Sequence, residues 1–273
     1  MTKRHVSGKI LMYLVLLFLY LPIFVLIVFS FNASKSRSIW NGFSLKWYEK
    51  LFGDAQILSA LTTTLEVSFL AAALATILGT FAAIGFFYMK RRWRAPLMAI
   101  NNIPMTNADI VTGVSMALLF VSAGSLLNFK QGFVTMLIAH VTFNVPYVIL
   151  AIMPKLRQMD GNLVHAAEDL GCTWFQAFYK VIIPEIKPGI VNGAIIAFTM
   201  SIDDFVISLF TAGSKVQTLS MAIWSMTKKN VTPEINAVST LLFSAVLILL
   251  VIINLREIHQ EKKQAQEAAA LNG

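Results

Sequence analysis

Acidic residues stand inside two of the long apolar stretches of this sequence. The first is Asp109, in the segment A-I-N-N-I-P-M-T-N-A-D-I-V-T. On a continuous helix Asn102, Thr106 and Asp109 share one face. A carboxylate in the middle of a membrane costs about 2.5 to 3.5 kcal/mol on insertion scales. This face is therefore expected to line a water-filled path or to meet a hydrogen-bonding partner, and Pro104 predicts a break in the helix.

The second acidic site is the pair Asp203 and Asp204, in the segment T-M-S-I-D-D-F-V-I-S. Helical spacing places Ser201, Asp204 and Ser208 on one face, with Asp203 on another face about 100° away. Two adjacent carboxylates stay ionised in apolar surroundings only where a cation compensates them. No Lys or Arg lies inside the apolar stretches, so the cation is expected from a partner subunit or from the substrate.

Catalytic and metal-binding patterns are missing from the sequence. It contains no glycine-rich phosphate loop, no nucleophile elbow and no metal-ligand cluster. His140 has no second ligand at metal-site spacing and is expected to be a buried hydrogen-bonding or packing group. The single cysteine, Cys172, is expected to be a free thiol. We therefore expect no catalytic residue, no metal and no cofactor in this chain. If the chain is a transport protein, its energy must come from an ion gradient or from an attached motor protein.

A polar segment runs from His165 to Pro184 between two long apolar stretches, with the sequence H-A-A-E-D-L-G-C-T-W-F-Q-A-F-Y-K-V-I-I-P. In this 165–184 segment, Gly171 predicts a left-handed residue that ends or bends a first helix. Thr173 predicts the N-cap of a second helix, and Pro184 predicts its end.

An apolar stripe marks the second of these helices. Trp174, Ala177 and Phe178 fall at i, i+3 and i+4, on a helix that no membrane span covers. From the pattern alone, the stripe lies against lipid headgroups or docks on a protein.

The composition is that of a membrane protein. Of the 273 residues, 57% are hydrophobic and 13% are charged, about half the charged share of a soluble domain. Six apolar stretches are long enough to cross about 30 Å of hydrocarbon as helices. They cover residues 10–31, 64–88, 96–121, 132–153, 190–212 and 235–255. We predict an all-α membrane protein with a single transmembrane domain over residues 1–273, in which the 154–189 loop joins the fourth and fifth spans.

The positive charges give the expected orientation. With both termini on one side, 14 of the 22 Lys and Arg residues fall on that side together with the 154–189 loop. The cluster K-R-R-W-R at Lys90 weighs most, because it lies on a very short loop. The positive-inside rule therefore places both termini in the cytoplasm. The net charge of +8 fits this topology and contact with lipid headgroups, and no basic stripe indicates nucleic-acid binding.

The 165–184 segment resembles the signature loop of the inner-membrane permease subunits of ABC importers. The family pattern is Glu-Ala-Ala, three residues, Gly, nine residues, then aliphatic, any residue, aliphatic and Pro. The matching residues are Ala166, Ala167, Gly171, Val181, Ile183 and Pro184. The resemblance implies the type I ABC importer permease fold, in which this loop forms coupling helices that dock in a groove of a cytoplasmic ATPase.

The same resemblance implies a set of residues that couple the chain to the ATPase, and it favours docking over headgroup contact. This set is His165, Ala166, Ala167, Glu168, Gly171, Trp174 and Pro184. His165 stands where the family usually has Glu. One expected ion pair is therefore replaced by a hydrogen bond from His165 or by the charge of Glu168 or Asp169.

Shorter segments resemble the permease subunits of spermidine/putrescine importers within this family. They are Y-L-P-I from Tyr20, S-F-N-A-S from Ser30, K-W-Y from Lys46, A-D-I-V from Ala108 and S-I-D-D-F-V from Ser201. The resemblance implies a polyamine substrate, which carries several ammonium groups. The expected substrate path includes Asp109, Asp203 and Asp204. Tyr20 is an aromatic candidate for contact with an ammonium group, as is Trp224 unless it sits at the membrane interface.

The resemblance also implies the partners. These are a homologous permease that forms a heterodimer with this chain, a dimer of ATPases that binds ATP and Mg, and a periplasmic polyamine-binding protein, in the lipid bilayer of a bacterial inner membrane. One alternative is an ABC permease for another small organic cation or nutrient, since the loop says nothing of cargo. Another is a gradient-driven cation carrier in which Asp203 and Asp204 bind protons or cations.

Overall fold

A computed structural model describes residues 2–34, 39–229 and 233–271. Within that part of the chain, helices account for the regular structure, apart from one isolated bridge between Asn32 and Phe43. The helices are α1 (Thr2–Ser30), α2 (Lys46–Gly53), α3 (Ala55–Tyr88), α4 (Arg91–Thr106), α5 (Asp109–Leu127), α6 (Phe133–Gln158), α7 (Asn162–Asp169), α8 (Trp174–Ala177), a π-helical turn (Phe178–Ile182), α9 (Ile183–Ile202), α10 (Val206–Thr211), α11 (Leu219–Lys229) and α12 (Pro233–Leu271). Six helical segments in the described residues are long and apolar enough to span a membrane, which confirms the predicted all-α fold class.

The chain forms two compact units, and the prediction of a single transmembrane domain stays a prediction. The first unit contains residues 1–58 and 222–273, and the second contains residues 59–221. In the first unit α12 packs against α1 and α2. The loop between α1 and α2 is built on Asn32, whose backbone carbonyl accepts a hydrogen bond from the Trp47 indole at 2.7 Å. An ion pair between Lys50 and Glu234 joins α2 to α12.

The core of the second unit forms around α6, which packs tightly on α3 and α9. A Cβ atom at Gly79 in α3 would lie 2.6 Å from the Val148 side chain, and one at Gly193 in α9 would lie 3.1 Å from it. A Cβ at Gly189 would lie 3.1 Å from the Ile152 Cα. Small residues thus let the helix backbones approach closely, as is common between membrane helices.

The third span differs from the predicted stretch of 96–121. Asn107 and Ala108 are extended, with φ/ψ of −79°/150° and −64°/138°. They separate α4 from the candidate span, which is Asp109–Leu127. Pro104 lies in the last turn of α4 and lacks an N–H to continue the hydrogen-bond ladder. Asn102 and Thr106 therefore do not share a continuous helix with Asp109, which corrects the predicted face.

The fifth span also differs from the predicted stretch of 190–212. Helical structure runs without a stop from Trp174 to Ile202, and residues 203–205 then interrupt it before α10. The predicted stop at Pro184 is wrong, because Pro184 lies in the first turn of α9. The π-helical turn just before it, where the Ile183 N–H bonds the Phe178 carbonyl, gives the widened turn that accommodates a proline.

Candidate substrate path and coupling segment

Both acidic sites lie at helix breaks in the second unit. Asp109 is the first residue of α5 and is exposed. Its carboxylate stands at the N-terminal, positive end of the helix dipole. Asp203 is the C-cap residue of α9 and is also exposed. Among the described residues, neither carboxylate forms an ion pair with a Lys or Arg.

Asp204 is held by the protein itself. Its Oδ1 accepts a hydrogen bond from the Ile207 N–H at 3.2 Å, and its Oδ2 accepts one from the Ser208 N–H at 2.8 Å. The carboxylate thereby caps the first turn of α10, which has free N–H groups there. Only 9% of the Asp204 side chain is exposed, in contrast to its neighbour Asp203. The two adjacent carboxylates thus have different environments.

His140 of α6 is the centre of this buried polar cluster. The residue is 1% exposed. Its Nε2 lies 3.4 Å from Asp204 Oδ2 and 2.9 Å from Ser208 Oγ, and its Nδ1 bonds the Ser201 hydroxyl. The expectation of a buried hydrogen-bonding histidine is confirmed. The three side chains that helical spacing places on one face do meet, although the helix is interrupted between them.

Sequence reasoning passed over His140 as a site residue. The signal was present, because Ser201, Asp204 and Ser208 form a polar face that needs a partner from another span. His140 is a side chain in the preceding span that offers two hydrogen-bonding nitrogens. The sequence alone does not show that these two spans pack against each other, and the structure does.

The break before α5 and the break before α10 lie on neighbouring helices. A Cβ at Gly113 would meet the Phe210 ring at 3.0 Å and the Val206 carbonyl oxygen at 3.4 Å, so α5 and α10 are in close contact. Asp109 lies one turn before Gly113, and Asp204 caps the turn that begins at Val206. The site is therefore a pair of helix starts that packing on α6 holds together.

The aromatic candidates Tyr20 and Trp224 belong to the first unit. Tyr20 is exposed on α1. Trp224 is exposed on α11, and the Lys228 Nζ lies 5.1 Å from the centroid of its ring. The indole of Trp224 is thus already in contact with the ammonium group of Lys228 from the same helix. The contact of Tyr20 and Trp224 with a substrate stays a prediction.

The turn inside the 165–184 segment has the predicted local structure. Gly171 has a φ of +86°. The Cys172 N–H bonds the Ala167 carbonyl at 3.0 Å and the Gly171 N–H bonds the Glu168 carbonyl at 2.8 Å, the two bonds of a Schellman motif. Thr173 and Gln176 then form a reciprocal capping box at the start of α8. Gly171 and Thr173 therefore have the conformations expected from the sequence.

The predicted apolar stripe is divided between the core and the surface. Ala177 and Phe178 are 0% and 5% exposed and pack in the core around α6. Trp174 is 52% exposed and stacks on Phe178, with 5.7 Å between ring centroids. Only the outer part of the stripe is available to a partner. Phe178 is a core residue rather than a docking residue.

The other predicted coupling residues fall into the same two groups. His165 and Glu168 are exposed on α7, and 3.6 Å separate His165 Nδ1 from Glu168 Oε2. Ala166 is also exposed, whereas Ala167 packs in the core. The surface of α7 thus offers His165 and Glu168 together, at the place where the signature pattern has one glutamate.

Comparison with known proteins gives close relatives in sequence. Residues 75–262 match the family described as binding-protein-dependent transport system inner membrane component. The spermidine/putrescine transport system permease protein PotC of Haemophilus influenzae is 37% identical over 253 residues, 93% of this chain and 97% of that protein. The putrescine transport system permease protein PotI of Escherichia coli K12 is 38% identical over 232 residues, 84% of this chain and 83% of that protein.

Solved structures share the fold at low sequence identity. A bacterial ABC transporter involved in the import of the acidic polysaccharide alginate matches with a TM-score of 0.70 and 13% identity, over 92% of this chain and 95% of that chain. The MetNI methionine ABC transporter in an inward-facing conformation matches with a TM-score of 0.61 and 18% identity, over 72% of this chain and 93% of that chain. These likenesses show that the helices have the arrangement of ABC importer permeases.

Proposed function

This chain belongs to the family of binding-protein-dependent transport system inner membrane components, and we propose that it forms, with a homologous permease, the path by which polyamines enter the cytoplasm. As a member it is an inner-membrane transport subunit and not an enzyme. The observation that carries the polyamine assignment is the placement of exposed carboxylates, Asp109 and Asp203, at two helix breaks without a cation of their own. The functions of the PotC and PotI relatives support the same substrate class.

The charge of the substrate fits this site. Spermidine and putrescine carry ammonium groups along a flexible chain. An ammonium about 4 Å from a carboxylate gains about 4 kcal/mol at an effective dielectric of about 20, before the cost of desolvation is subtracted. Two or three such contacts would offset lost hydration without trapping the ligand.

The environments of the carboxylates suggest a division of roles. Asp109 and Asp203 are exposed and contact the passing cation. Asp204 bonds two backbone N–H groups and lies beside His140, so it fixes the helix break that presents Asp203. Asp204 therefore acts on the substrate path through position rather than by direct contact.

In this proposal the 165–184 segment couples transport to ATP hydrolysis by a partner ATPase. Its exposed residues His165, Glu168 and Trp174 contact a cytoplasmic ATPase dimer that binds ATP and Mg, and this chain binds no cofactor. Both termini lie in the cytoplasm, and a periplasmic binding protein delivers the polyamine from the other side. The matches to ABC importer structures support this arrangement.

Uptake of labelled spermidine and putrescine by the reconstituted complex tests the assignment. Asp109→Asn and Asp203→Asn should each lower uptake about tenfold, which corresponds to a net loss of about 1.4 kcal/mol per contact after desolvation. The variants should still assemble. Glu49→Gln, at an exposed site on α2, is the matched control and should transport normally.

Two other outcomes would point elsewhere. Unchanged uptake in both aspartate variants would refute the polyamine path, and competition assays with other organic cations would then identify the cargo. Flux by this chain alone without ATP would indicate the gradient-driven carrier. ATP-dependent uptake that requires the partner subunits supports the importer.

A further inference from the structure

An open groove lies between the end of α3 and the helix that begins at Trp174. It has a volume of about 450 Å³, within the range of small-molecule sites. Its lining is almost entirely aromatic and aliphatic. The lining residues are Phe81, Ile84, Gly85, Tyr88, Trp174, Phe175, Phe178 and Tyr179. No residue proposed for the substrate path takes part in it, and it shares Trp174 with the exposed residues proposed to contact the ATPase.

The walls of the groove are ordered by ring stacking. Phe178 forms the floor, since it is 5% exposed and stacks on Phe81 with a 6.0 Å centroid distance and a 5° interplanar angle. Trp174 stacks on the same ring. Gly85 leaves one wall open, because a Cβ built there would meet nothing within 4 Å. The groove is thus a preformed apolar surface.

One wall of the groove is the end of a candidate membrane span, which favours a lipid over a soluble occupant. Phe81, Ile84 and Gly85 belong to the last turns of the candidate span Ala55–Tyr88. Phe81 lies seven residues before Tyr88, which is about 10 Å deeper along the helix axis. The inner end therefore belongs to the apolar part of this candidate span, while the tyrosines at the outer end have the amphipathic rings typical of the interface.

Exposed basic residues follow the lining tyrosines of both walls in the sequence. Lys90 follows Tyr88 by two residues and is exposed, as are Arg91 and Arg92 after it. Lys180 follows Tyr179 on the opposite wall and is also exposed. Glu168 interacts electrostatically with Tyr88, so one acidic group accompanies these four cations. Basic clusters at the end of a membrane helix attract anionic lipids by about 1 kcal/mol per Lys or Arg.

We infer that this groove binds an anionic phospholipid of the cytoplasmic leaflet, with an acyl chain over Phe178 and the headgroup phosphate between Lys90 and Lys180. The apolar lining, on the end of a candidate span, matches the acyl chain of such a molecule, and the paired cations match its headgroup. The leaflet rests on the proposed orientation of the chain, whereas the site does not depend on the identity of the cargo.

Native mass spectrometry of the assembled complex, purified from vesicles of phosphatidylcholine and phosphatidylglycerol, tests the site. The wild-type complex should retain phosphatidylglycerol in preference to phosphatidylcholine. Gly85→Leu should fill the groove and abolish this retention. Gly161→Leu is the matched control, because a Cβ at Gly161 also meets nothing within 4 Å and Gly161 lies outside the groove.

The charged mouth is tested separately. The double variant Lys90→Gln with Lys180→Gln should keep a lipid in the groove but lower its preference for phosphatidylglycerol by about fivefold to thirtyfold. Equal retention of both lipids by the wild type would overturn the inference. Retention unchanged by Gly85→Leu would do so as well. Lipid that binds the permeases alone but is lost when the ATPase is present would show that the ATPase occupies the groove instead.

Discussion

At the residue scale, His140 links the helix break to the core of the second unit. It bonds Ser201 before the break and Ser208 after it, and it lies beside Asp204 within the break. A hydrogen bond to a charged group contributes about 1.5 to 3 kcal/mol, and an unpaired buried group costs a similar amount. His140 therefore stabilises the position from which Asp203 is exposed.

His140→Ala should lower the stability of the complex by about 1.5 to 3 kcal/mol and reduce polyamine uptake with it. The physical reason is the loss of the partner of Asp204 and of two serine hydroxyls in a buried place. Thermal melting of the assembled complex in detergent, measured beside uptake, checks the expectation. Glu49→Ala is the control, since that side chain is exposed on α2 and should leave the melting temperature unchanged. A normal melting temperature in His140→Ala would show that the cluster carries no stability.

Residue chemistry was predictable from the sequence where it followed from composition. The acidic sites Asp109, Asp203 and Asp204 were recognised because carboxylates are costly in apolar stretches. The different environments of Asp203 and Asp204 were not predictable. They depend on which span faces the pair, and the sequence does not state that α6 brings His140 to Asp204.

At the element scale, the turn between α7 and α8 depends on one backbone conformation. Gly171 closes a Schellman motif at a φ of +86°, and the capping box at Thr173 begins the next helix. A residue with a Cβ pays about 1 to 2 kcal/mol in this left-handed region. The turn sets how the exposed face of α7, with His165 and Glu168, is presented relative to Trp174.

Gly171→Ala should therefore destabilise the turn by about 1 to 2 kcal/mol and weaken the link between ATP hydrolysis and uptake. The ratio of polyamine transported to ATP hydrolysed in the reconstituted complex measures this link. Gly171→Asn should have the smaller effect, because Asn tolerates the left-handed region. Gly161→Ala serves as the control, since its φ of −59° suits any residue. An unchanged ratio in Gly171→Ala would mean that this turn takes no part in coupling.

Helix boundaries show what a hydropathy pattern can and cannot predict. The number of spans followed from length and apolarity. The break at Asn107 and Ala108 was foreseen as a consequence of Pro104, but its place was not, since an apolar average runs across it. Pro184 was expected to end a helix, whereas a π-helical turn lets helical structure continue from Trp174 to Ile202. Such a turn has no clear sequence signal.

At the scale of the whole molecule, much of the apolar surface needs a membrane or a partner. The described residues of α1, from Leu11 to Leu21, are all exposed. Exposed apolar side chains also run along α3 and α5. A soluble protein would bury such faces. The hydrocarbon of the bilayer is a surrounding that fits them.

The orientation of the whole chain can be tested with its single cysteine. Cys172 lies in the turn between α7 and α8 and is partly exposed. The distribution of Lys and Arg predicts that this turn is cytoplasmic. A membrane-impermeant maleimide should therefore fail to label Cys172 in intact cells. It should label Cys172 in inside-out vesicles stripped of peripheral proteins, where an ATPase no longer covers the segment.

The control for this labelling lies on the other side of the membrane. Lys130, in the loop between α5 and α6, is exposed and is predicted to be periplasmic. In a Cys172→Ser background, Lys130→Cys should be labelled in intact cells and protected in inside-out vesicles. Labelling of Cys172 in intact cells would place the 165–184 segment outside and refute its contact with a cytoplasmic ATPase. Residues 172 and 130 are expected to have opposite accessibilities because α6 lies between them. This helix is a candidate span from Phe133 to Gln158, and the two ends of a membrane-spanning helix lie on opposite sides of the bilayer.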